Sequence, residues 1–191
     1  MSNDEILMAR LICEINSYGF EVQSYEELKS VKRKIKNTIP VLLKYLYLFN
    51  GSSYTDAILR LLSVKGFNDA TEELLEVYNN KNSKIDKWVV GDALYSIQDK
   101  RYEDEYINII DEKSNGTSRQ MITILLGKIR CEKAISHLIS LLQDEDVNGH
   151  AIIALGYFRN NELIKYIEPF LDHEKRWVRK EAEKAIKKIT S

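Results

Sequence analysis

Cysteine, proline and glycine are all scarce in this chain. Cys13 and Cys131 are the only cysteines in 191 residues. Two thiols so far apart make neither a disulfide framework nor a metal-ligand spacing. They read as small apolar fillers of a protein kept in a reducing compartment. Two prolines and eight glycines leave few breaks, which favours long helices joined by short turns. An excess of one charge is missing too. The 28 basic and 29 acidic residues leave a net charge of −1, so nothing overall draws the chain to nucleic acid or an anionic membrane. No apolar run approaches the roughly 20 residues of a membrane span. The most apolar stretch, Ile39 to Phe49, is interrupted by Lys44. The acidic start, Met-Ser-Asn-Asp-Glu, is not a signal peptide. A soluble, cytoplasmic protein is the expectation.

Catalytic signatures are absent as well. His137, His150 and His173 are scattered, with no H-E-x-x-H pair to bind a metal. There is no G-x-S-x-G, no P-loop and no G-x-G-x-x-G. The acidic runs Glu103–Glu105 and Asp144–Asp146 fall at turns and read as solvated. No enzyme activity, metal or cofactor is expected. The apolar share of 44% is ordinary for a folded domain.

What the chain does contain is repetition. Thr38, Ala70, Tyr102, Ala134 and Leu163 occupy one position of a recurring helix, at intervals of 32, 32, 32 and 29 residues. Leu42, Leu74, Tyr106, Leu138 and Ile167 come four residues later, and Leu46, Tyr78, Ile110, Leu142 and Leu171 four later again. Positions i, i+4 and i+8 share one face of a helix. A second helix follows each first one. In it Ile58, Val90, Ile122, Ala151 and Ala182 are equivalent, as are Leu62, Leu94, Leu126, Leu155 and Ile186. Ala93, Ala154 and Ala185 between them permit close helix approach, and Gly66, Gly127 and Gly156 read as helix ends. Capping-box spacings at Ser2/Glu5 and Ser24/Glu27 start two earlier helices. Gly19 stops the first, and the second spans Tyr25 to Lys36. The basic end of that second helix suits the negative end of its dipole. The reading is an all-α chain: residues 1–37 as two N-terminal capping helices, then five helix pairs over 38–191 as one continuous array. A pair of about 30 residues cannot bury its apolar face alone, so stacking neighbours must complete the core.

The pattern Ser118-Arg119-x-x-Ile122-x-x-Leu125-Leu126-Gly127 resembles a HEAT-like repeat, as do Ala151-x-x-Ala154-Leu155-Gly156 and Trp177-Val178-Arg179-x-x-Ala182-x-x-Ala185-Ile186. The likeness is to the short repeats of phycobilin lyases and bacterial scaffold proteins. It runs over residues 38–190 and is strongest from 116 onward. Thr55, Lys87 and Asn148 depart from it where Arg119 and Arg179 stand in other units. The resemblance implies an α-α superhelix whose second helices line a concave face. It also implies turn pairings of Asp111 with Arg119 and Asp172 with Arg179. It implies a non-catalytic scaffold that binds another protein: an adaptor, an inhibitor or an immunity-like protein. Two alternatives follow from the same family. One is a bilin-lyase-like enzyme or chaperone, for which no lyase-specific residue is present. The other is a nucleic-acid binder like the HEAT-type alkyl-base glycosylases, against which the near-zero net charge argues.

On one second helix Trp88, Asp92 and Tyr95 form a stripe at i, i+4 and i+7. Its equivalents are Asp56, Arg60 and Ser63 one unit earlier. Aromatic side chains dominate binding hot spots, so Trp88 and Tyr95 are candidate partner anchors. Gly91 beside them suggests a close approach. Arg119, His150 and Arg159 are expected to add polar contacts along the same groove, and Trp177 is read as structural.

Overall fold

The computed structural model describes residues 2–191, and among these there is no β-strand. The protein is all-α. Its α-helices are α1 (Asn3–Asn16), α2 (Tyr25–Val31), α3 (Ile39–Phe49), α4 (Thr55–Leu62), α5 (Thr71–Asn79), α6 (Lys87–Ile97), α7 (Glu103–Asp111), α8 (Gln120–Lys128), α9 (Ile135–Ser140), α10 (Asn148–Leu155), α11 (Ile164–Ile167) and α12 (Arg176–Thr190). No helix among the described residues is long and apolar enough to cross a membrane.

The local signals at the N-terminus act as read, with one change of partner. Ser2 and Glu5 close a capping box in both directions at the start of α1. Gly19 ends that helix region with φ +89°, a conformation that costs glycine nothing. Ser24 accepts from the Glu27 amide, but the Glu27 carboxylate accepts from Gln23 N–H rather than from Ser24. α2 stops at Val31, five residues short of the expected end.

The 32-residue register is written into the backbone. Each first helix opens with a three-residue 3₁₀ turn: Lys36–Thr38, Asn68–Ala70, Lys100–Tyr102, Glu132–Ala134 and Asn161–Leu163. Two residues before the last four of these, Gly66, Gln98, Arg130 and Arg159 hold positive φ. Four more equivalents, Asn80, Glu112, Asp144 and His173, accept a bond from the backbone N–H two residues on, and so close the turns within pairs. The expected core positions are buried, with Leu42, Leu74, Tyr106, Leu138 and Ile167 all at zero exposure. The exceptions are Tyr102 and Ile186, which are half-buried, and Leu171, which is exposed.

The chain divides into two compact units, one ending at Ile97 and the other running from Gln98 to Ser191. In the first, α1 packs on α3, α3 on α4, and α4 and α5 on α6. In the second, α7 packs on α8, and α10 is central, touching α8, α9 and α12. Gly156 is the C-cap residue of α10 and Gly127 lies one residue inside the end of α8, so both fall at helix ends as expected, and both are also contact points. A Cβ on Gly127 would meet the Ala154 backbone at 2.3 Å, and one on Gly156 would meet Ala185 at 3.0 Å. Each glycine lets consecutive second helices approach at an alanine.

Candidate functional site

In the first unit the second helices α4 and α6 lie side by side and enclose a cleft of about 410 Å³. Asp86 accepts from the Trp88 amide at 2.8 Å, which caps the start of α6 and sets Trp88 on its first turn. From there Trp88, Asp92 and Ser96 follow one another at four-residue steps along the cleft wall. Asp56 and Arg60 of α4 and its cap residue Ser63 line the other side, with Leu59 among them. Lys32, just past α2, closes one side, its ammonium donating to the Arg60 carbonyl at 3.3 Å.

Electrostatics in the cleft are mixed. Burial pushes the Asp92 carboxyl up from its ordinary value, and the positive charges of Arg60 and Lys32 pull against that rise. Trp88 is 39% exposed and presents an apolar plate between charges of both signs. The described residues hold no group of acidic, histidine or cysteine side chains that could bind a metal ion. What the cleft presents is an exposed indole bordered by Asp56, Asp92, Lys32 and Arg60.

Of the three expected residues on α6, two reach the cleft. Tyr95 does not line it; Ser96 takes the place expected of Tyr95, because a four-residue step keeps the row facing α4. Gly91 is buried, so it offers a partner no landing place. The residues missed by the reading of the stripe were Lys32, Asp56 and Arg60. Asp56 and Arg60 were already marked by the register as equivalents of Trp88 and Asp92. Lys32 belongs to no repeat and carried no such mark.

The three candidates in the second unit stand apart. Arg119 is 1% exposed, and its guanidinium donates to Gly116 O at 2.9 Å, Ile110 O at 3.2 Å and Asp144 Oδ2 at 2.9 Å. A side chain so enclosed and so bonded does not reach a partner. Its carboxylate is not the expected Asp111, which pairs with His137. The pairing runs instead to the turn of the next helix pair. Burial alone would raise the Asp144 carboxyl, but bonds from Arg119 and the Asp146 amide, with the charge of Arg119, carry it below its usual range. Arg179, likewise, donates to the carbonyls of His173 and Glu174 rather than to Asp172.

His150 is half-buried with its ring 5.6 Å from that of Trp177, and its Nδ1 has no hydrogen-bond partner. Burial pushes this imidazole below its ordinary value, against the pull of Glu181. Trp177 lies on Gly149, where a Cβ would come within 2.0 Å of the indole. Arg159 is exposed in the turn after α10 with φ +54°. A smaller cleft of about 220 Å³ in this unit is lined by Ile153 and Lys184, which stand two residues after Ala151 and Ala182 as Asp92 stands two after Val90, but by none of Arg119, His150 and Arg159.

Neither the protein-family models nor the curated proteins contain a match to this chain.

Proposed function

We propose that this chain is a non-catalytic scaffold of HEAT-like helix pairs, stacked as an α-α superhelix, that binds another protein along its second helices. The observation that carries the reading is the cleft between α4 and α6, where Trp88 stands exposed among Lys32, Arg60, Asp56 and Asp92. Aromatic and arginine anchors within a rim of mixed charge are the usual chemistry of protein recognition. The recurrence of stripe positions in the second unit's cleft supports a binding role for the second helices as a class.

The test is quantitative capture of a partner from the native host, with the identified partner then titrated against variants. Trp88→Ala is expected to weaken binding by about 30-fold or more, the scale of a hot-spot anchor, while the thermal midpoint stays close to that of the parent. Tyr95→Ala leaves affinity unchanged under the same reading. Equal affinity of the parent and Trp88→Ala would rule the cleft out as the working surface.

A further inference from the structure

We propose that a second, basic cleft in the first unit seats an acidic segment of the partner protein, its carboxylates held by Lys32, Arg33, Lys36 and Lys65. This deepens the protein-binding reading and rests on it. The cleft measures about 540 Å³, and every charged residue on its wall is a cation. The remainder of the wall, Ser63, Val64, Gly66 and Phe67, is neutral. None of the four cations forms an ion pair with a carboxylate among the described residues. Lys32 and Ser63 line this cleft and the one beside Trp88, so the basic wall leads into the aromatic anchor.

The helix dipole does not account for this clustering. α2 is only seven residues long and ends at Val31, with Lys29 already in its last turn. A dipole acts within about one turn of the helix end, and Arg33 and Lys36 lie beyond the cap residue Lys32. Lys65 comes from a different element altogether, the turn after α4. Like charges gathered from two segments onto one wall repel each other, and a bound anion relieves that repulsion.

An acidic polypeptide fits the joined clefts better than a nucleic acid does. Asp56 and Asp92 stand in the adjoining wall, where they would repel a continuous phosphate backbone. A peptide carries its carboxylates singly and can place an apolar side chain on Trp88. The net charge of −1 adds no long-range pull on a polyanion.

The experiment titrates the full chain at low salt with a fluorescein-labelled peptide of alternating glutamate and glycine, read by fluorescence anisotropy. Saturable binding is expected, weakened at least about tenfold in Lys36→Glu/Lys65→Glu and by added salt. Lys81→Glu, at an exposed lysine in the turn before α6, is expected to bind like the parent. A neutral Lys36→Gln/Lys65→Gln pair, which introduces no new repulsion, shows a smaller loss in the same direction. Absence of peptide binding overturns the inference, as does binding that the charge-reversed variant retains. Tighter binding of a short duplex DNA than of the peptide also overturns it, and makes the cleft a phosphate site. Partner capture lost in Trp88→Ala but indifferent to Lys36→Glu/Lys65→Glu sinks this inference alone. Peptide binding lost on charge reversal, with capture untouched by Trp88→Ala, keeps it and sinks the wider reading.

Discussion

At the scale of single residues, burial separates side chains that hold the protein together from those that can meet a partner. Arg119 opens a repeated second helix and looks as available as Arg60, yet three of its donors are used inside the fold, and the contact holds the Asp144 carboxyl below its usual range. Arg119→Met removes the guanidinium from a partly buried carboxylate, which keeps only the Asp146 amide, and from the Gly116 and Ile110 carbonyls. A loss of about 3 kcal/mol is expected, visible as a lower urea midpoint. His150 shows the same logic through pH. Its folded value lies below the ordinary 6.5, so as pH falls through that value the unfolded chain takes up a proton first. Stability therefore drops as pH falls below about 6.5, at no more than about 1.4 kcal/mol per pH unit. His150→Gln is expected to flatten that slope in denaturation series between about pH 5 and 7; an unchanged slope would remove His150 as its source.

At the scale of helices, two kinds of glycine do different work, and substitution tells them apart. Gly66 has φ +86° and open space around a built Cβ, so Gly66→Ala carries only the backbone cost of about 1 kcal/mol. Gly127 is helical, and its added Cβ would drive α8 away from the Ala154 backbone of α10. Gly127→Ala is expected to lose about 3 kcal/mol, the upper end of overpacking costs. Thermal or urea denaturation of the two variants checks the order, and a smaller loss at Gly127 than at Gly66 would contradict the contact. From sequence these glycines looked alike, because each stands near the end of an apolar run. The core positions were legible for the opposite reason: Leu42 or Ile122 can serve only one face of a helix, and the period repeats them. The left-handed turns at Gln98, Arg130 and Arg159 were not legible, since those residue types advertise nothing of the kind. The turn closing each pair falls on Glu112, Asp144 and His173 rather than on the neighbouring Asp111 and Asp172, a one-residue offset that only the backbone bonds reveal. Half of the candidate site followed from the register. Lys32 did not, because a residue outside the repeats has no equivalent to point to it.

At the scale of the whole molecule, a repeat register that runs through residues 38–191 coexists with two compact units that meet at Ile97 and Gln98. Each unit buries an apolar core of its own: Leu42, Leu62 and Leu94 in one, Tyr106, Leu126 and Leu155 in the other, all without solvent exposure. Local unfolding is not uniform across a structure, so a lesion in one compact unit need not be felt equally along the chain. Gly127→Ala supplies a lesion confined to the α8–α10 contact. Native-state hydrogen exchange of this variant is expected to show faster exchange at the amides of α8, α10 and α12, with those of α3 and α4 unchanged. The factor follows from the stability lost: about 3 kcal/mol corresponds to roughly 150-fold faster exchange through global opening of the affected unit. Equal acceleration in α3 and α4 would mean that all the helices open together as one cooperative body. The outcome also bears on partner binding, because the Trp88 cleft belongs entirely to the first unit. If the units open separately, Gly127→Ala leaves affinity at that cleft intact even where it softens the rest of the chain.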